Sequence, residues 1–83
     1  MNREEIITIT RKFLSEEFEV DPSTIEGENN LKTTLDLDSL DYVDLVVVIE
    51  ENFGFKTNAD DFQKVITFND FYDMVERKLS KIV

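Results

Sequence analysis

At 83 residues the chain has room for one domain around one modest hydrophobic core, and not for two. Nineteen acidic against nine basic residues give a net charge of -10, which excludes the basic stripe that a nucleic-acid backbone requires and points to basic partners. Without cysteine there is no disulfide framework or thiolate zinc site. No apolar run nears the roughly 20 residues of a membrane span, and Met1 to Glu5 carry no signal-peptide core, so a soluble, uncleaved, cytoplasmic protein is expected.

Asn2, with Glu5 three residues on, caps a first helix in which Ile6, Ile9 and Phe13 recur at helical spacing and Ile7, Leu14 and Phe18 flank them. Asp21-Pro22 stops it or opens a short turn of its own. A polar loop, Glu26 to Asn30, follows, and then Leu31, Leu35 and Leu37, whose spacing predicts an ordered loop pinned to the core.

Asp38 reads as the cap of a second helix, with Asp41 three residues later and Leu37 able to staple against Tyr42; the pattern ends at Phe53-Gly54. The run Val46 to Ile49 is β-branched, but its capped and acidic flanks and the length of the segment favour helix over strand. Asn58 to Phe62 predicts a brief third helix. Thr67 with Asp70 caps a fourth carrying Phe68, Phe71, Tyr72, Val75, Leu79 and Ile82 at spacings of three and four, with Arg77, Lys78 and Lys81 near its end, where cations suit the dipole. The expected fold class is all-α: a small four-helix bundle, three longer helices plus one short, with a long loop between the first and second, and a core that includes Phe13, Leu45, Val46, Ile49, Phe53, Phe71 and Val75.

Ser39 falls at the first position of the second helix, where unpaired N–H groups and the dipole favour an attached phosphate. Alone, a serine there is far more often part of a cap than a modified residue. At about 100° per residue the helix has two apolar faces. Tyr42, Leu45, Val46, Ile49 and Phe53 form the core stripe, while Leu40, Val43 and Val47 line up with Asp44, Glu50 and Glu51. The second face reads either as a broad core edge or as a docking surface for basic partners.

Asp38-Ser39-Leu40-Asp41-Tyr42-Val43-Asp44-Leu45, followed by Ile49-Glu50-Glu51-Asn52-Phe53, resembles the D-S-L-D-x-V-[DE]-L…E-E-x-F signature of acyl carrier proteins, and the order of elements matches over essentially the whole chain. The resemblance implies a single carrier domain over residues 1–83, not an enzyme, with pantetheine 4'-phosphate attached covalently at Ser39 and Asp38 as cap and motif residue. It implies acyl cargo held as thioesters on the arm, in a core that shelters the chain. The implied partners are a phosphopantetheinyl transferase and acyl-transferring or chain-elongating enzymes with basic surfaces, meeting a monomer at Leu40, Asp41, Val43, Asp44, Val47, Glu50 and Glu51.

Fatty acid biosynthesis is the expected pathway, with polyketide, aminoacyl or peptidyl carriage, or an unmodified acidic adaptor, as alternatives. Two features depart from the family pattern: Asp36 stands where glycine is common, and the last helix is unusually aromatic. Asp36-Leu37-Asp38 also replaces the Gly-Gly-His of many peptidyl carriers.

Catalysis is disfavoured because the chain has no histidine to serve Ser39 as base. An EF-hand reading of Asp36-Leu37-Asp38 fails, since its sixth position is Asp41 and its twelfth Val47, so no metal site is expected.

Overall fold

The computed structural model describes residues 1–82, with the side chains of residues 59, 81 and 82 and the whole of Val83 set aside; the sequence assignments made for Lys81 and Ile82 lie outside the described side chains. Five helices follow one another: α1 Arg3–Phe18, α2 Leu31–Leu35, α3 Asp41–Phe53, α4 Ala59–Phe62 and α5 Phe68–Ile82, with a 3-10 turn at Pro22–Thr24. Among the described residues the extended backbone is limited to an isolated antiparallel bridge, Asn30 to Thr67. The chain is a small all-α bundle.

Local hydrogen bonding explains where the helices start. The Asn2 side chain accepts from the Glu5 N–H at 2.9 Å while the Glu5 carboxylate accepts from the Asn2 N–H, a reciprocal box. Asn58 and Asp61 repeat it at α4. Before α5 the Asp70 carboxylate accepts from the N–H groups of Ile66 and Thr67, both at 3.1 Å, and these bonds hold it below the usual carboxylate range. Left-handed residues end the helices: Glu19 after α1, Asp36 after α2 and Gly54, at φ 81°, after α3.

The long first crossing is more structured than a pinned loop. Leu31, Leu35 and Leu37 are buried, as loop anchors would be, but Leu31–Leu35 form a turn and a half of helix capped by Asn30, whose side chain accepts from the Thr33 N–H at 2.8 Å. The crossing is stitched to the start of α5 by backbone bonds from Leu31 N to Ile66 O, Phe68 N to Asn29 O and Asn69 N to Gly27 O. A Cβ at Gly27 would meet the end of the exposed Asn69 side chain, which would have to swing aside.

The core cluster draws Ile6, Phe13 and Leu14 from α1, Leu45, Val48, Ile49 and Phe53 from α3, Phe62 from α4, and Phe68, Phe71, Tyr72, Met74 and Val75 from α5. Arg3 ties α1 to α5, donating to the Asp73 carboxylate at 2.6 Å and lying 5.6 Å from the centre of the Tyr72 ring. Two sequence-based assignments need correction. Thr10 is buried in α1 whereas Ile7 and Ile9 only half are, and in α3 Val48 is buried whereas Val46 and Tyr42 are half-buried. The inward face of α3 is therefore turned towards Val48, and Tyr42 and Val46 lie at its edge.

Candidate functional site

The turn between α2 and α3 hangs from two buried leucines, Leu37 before it and Leu45 after it. Asp36 enters it in the left-handed conformation, φ 52° and ψ 51°, while its N–H and that of Leu37 close back onto carbonyls of α2. Asp tolerates this backbone better than most residues, so the turn forms without the glycine.

Asp38, Ser39 and Leu40 are then exposed. Regular helix starts only at Asp41, so Ser39 is not at the first helical position; it lies on the turn that leads into α3. Asp38 organises this turn. Its carboxylate accepts from the Leu40 N–H at 2.9 Å and the Asp41 N–H at 3.0 Å, while the Asp41 carboxylate accepts from the Asp38 N–H at 3.0 Å. The Ser39 hydroxyl takes part in none of these bonds and points its chemistry at solvent. Asp41 is spent on the cap, which separates it from the freely exposed acids Asp44, Glu50 and Glu51.

Past the turn, α3 shows solvent an aliphatic strip: Leu40 is 76% exposed, Val43 63% and Val47 48%. Asp44 and Glu51 flank it on one side and Glu50 on the other, so the structure brings the aliphatic and acidic residues onto one surface. Next to this strip lies a feature the sequence did not reveal. An open groove of about 960 Å³ is lined by Leu37, Asp38 and Ser39 of the turn, Tyr42, Val43, Val46 and Val47 of α3, Phe62 and Gln63 at the end of α4, and Lys32 of α2. The only sequence signal for it is the half-apolar character of Tyr42 and Val46, because the position of α4 is a tertiary fact. Among the described residues no group of three acidic, histidine or cysteine side chains is placed to hold a metal ion.

A family model described as the phosphopantetheine attachment site matches residues 9–75, a span that includes the whole turn and groove. The chain is 40% identical to the acyl carrier protein of Thermotoga maritima over 94% of its own length and 96% of the relative's. It is 35% identical to that of Coprothermobacter proteolyticus over 95% and 96%, and 30% identical to that of Thermosynechococcus vestitus over 96% and 99%. The chain belongs to the acyl carrier protein family. It is therefore a carrier and not an enzyme, and its cofactor is phosphopantetheine.

The turn suits that cofactor. A phosphodiester needs an accessible hydroxyl outside the hydrogen-bond network, and its charge is favoured by the N-terminal end of a helix of 13 residues. The arm needs a surface to lie against, which the adjoining groove supplies. Among the described residues no helix is long and apolar enough to cross a membrane.

Proposed function

We propose that Ser39 carries the phosphopantetheine arm and that residues 1–83 act as one carrier domain, presenting acyl thioesters to the enzymes of fatty acid biosynthesis in the cytoplasm. The observation that carries this reading is the exposed Ser39 hydroxyl, free of hydrogen bonds on a turn fixed by Asp38 and opening directly onto an apolar groove. In the loading step the Ser39 Oγ–phosphorus bond forms, the pyrophosphate P–O bond of coenzyme A breaks and adenosine bisphosphate leaves. The hydroxyl proton goes to a base on the transferase, since this chain has no histidine to take it. The names of the relatives favour acyl cargo over aminoacyl or peptidyl cargo.

Leu40, Val43 and Val47 with Asp44, Glu50 and Glu51 form the docking face in this reading, with the acids steering basic partners and the aliphatics losing water on contact. Asp38 and Asp41 shape the turn. Intact mass after incubation with a phosphopantetheinyl transferase and coenzyme A tests the attachment site. One arm is expected on the parent and none on Ser39→Ala, with the helical circular dichroism spectrum unchanged. Modification that persists in Ser39→Ala would move the site elsewhere.

A further inference from the structure

A second opening lies between α4 and α5. It has a volume of about 230 Å³ and is lined by Asp60 and Asp61 of α4, Lys64 just beyond it, and Met74, Arg77 and Lys78 of α5. Three cations face two carboxylates there, in a chain whose net charge is -10, so the cleft is a positive spot on a negative molecule. Its charges are not all committed. Lys78 pairs with Asp61 at 3.1 Å and Asp60 accepts from the Gln63 side chain at 3.4 Å, whereas Lys64 and Arg77 are exposed and form no ion pair among the described residues. Position matters as well: Gln63 lines the groove beside the Ser39 turn and its neighbour Lys64 lines the cleft, so the two openings adjoin at the end of α4.

We propose that this cleft is a second docking point, in which Lys64 and Arg77 receive a carboxylate side chain of the phosphopantetheinyl transferase. The proposal rests on attachment at Ser39 and on docking along α3. The transferase is the partner that must cover the Ser39 turn, and the end of α4 adjoins that turn through the groove. Volume and charge commit the cleft to its occupant. A space of about 230 Å³ takes one side chain and not a helix or strand of a partner, and two uncommitted cations select a carboxylate over an amine or a guanidinium. A partner drawn only to the acids of α3 remains free to rotate about that contact. An attraction of opposite sign at an adjoining site fixes the angle of approach and disfavours proteins that are merely basic.

The test follows arm attachment to the full chain by a phosphopantetheinyl transferase, at low salt and saturating coenzyme A. Lys64→Glu and Arg77→Glu are compared with Lys12→Glu, which makes the same change in net charge at an exposed site on α1. Added negative charge strengthens the pull on a basic partner, so without a contact in the cleft all three variants should load at least as fast as the parent. With the contact, the two cleft variants should lower kcat/KM about fivefold or more, through KM for the carrier, while kcat stays unchanged and Lys12→Glu shows no loss.

Lys64→Gln and Arg77→Gln should lose about two- to threefold, and Lys64→Arg should load like the parent. The glutamine variants carry the test if an acid at residue 77 unsettles the last turns of α5, which a helical circular dichroism spectrum reports. Cleft variants that load as fast as Lys12→Glu would overturn the second docking point. Slow loading of Asp44→Lys in the same experiment would then leave docking along α3 intact. A parent that gains no mass would remove the attachment reading and this one with it.

Discussion

Asp36 holds a left-handed backbone two residues before Asp38, with φ 52° and ψ 51°, so its Cβ sits in the conformation that glycine adopts without strain. Its neighbours make the position consequential: Leu37 is buried immediately after it, and the Asp38 cap depends on the direction in which the chain leaves the turn. Asp36→Gly is expected to raise stability by about 0.5 kcal/mol, because relief of the Cβ contact outweighs the added freedom of the unfolded chain. Asp36→Val, whose branched side chain suits this region worst, should lose about 1 kcal/mol or more. Asp36→Asn separates the two physical causes, since it tolerates the left-handed region but removes the charge. Thermal midpoints at low and high salt decide the matter, and an unchanged midpoint for Asp36→Val would show that the turn relaxes without strain.

Helix α3 carries apolar residues from Leu45 to Ile49 without a break, so nothing in that run says which side chain faces inwards. The structure turns Val48 into the core, 8% exposed, and leaves Val46 half-buried beside the groove. Val48→Ala should therefore cost about 2 kcal/mol and Val46→Ala less than about 1, measured by urea denaturation. Equal losses would contradict the orientation of the helix. The same contrast marks what was legible in the sequence. The boxes at Asn2 and Glu5 and at Thr67 and Asp70, and the stop at Gly54, were readable because each is a hydrogen bond or a backbone preference within a few residues. The motif around Ser39 was legible as a resemblance, and the exposure of the aliphatic and acidic residues of α3 on one surface followed from helical spacing. The inward turn of Val48, the helix Leu31–Leu35 and the groove depend on where α4, α5 and the first crossing settle, and no local pattern encodes that. The late start of α3 is a different case: the Asp38 cap was foreseen, but it closes a turn of its own before regular helix begins at Asp41.

Across the whole molecule charge is unevenly spread, since between Lys32 and Lys56 the chain carries Asp36, Asp38, Asp41, Asp44, Glu50 and Glu51 with no intervening base. Elsewhere Lys78 pairs with Asp61 at 3.1 Å and Arg3 with Asp73 and Glu76, so several of the few cations are already committed. On the proposed docking reading, a basic partner is drawn to the acids along α3 next to Ser39, and long-range steering presents that side first. Asp44→Lys or Glu50→Lys should slow arm attachment by a transferase about tenfold at low salt, through weaker association rather than slower chemistry. Stability should hold or rise, because both side chains are exposed and reversal relieves repulsion among like charges. The difference from the parent should shrink as salt is added, since the screening length falls from about 10 Å at 0.1 M to about 3 Å at 1 M and the parent loses its own steering. Asp60→Lys, an exposed site on α4, is the suitable comparison and should have a milder effect, whereas reversal at Asp61 would break its pair with Lys78 and confuse docking with folding. Transferase rates for Asp44→Lys and Glu50→Lys that match the parent at low salt would show that partners approach from another side, even with Ser39 as the attachment point.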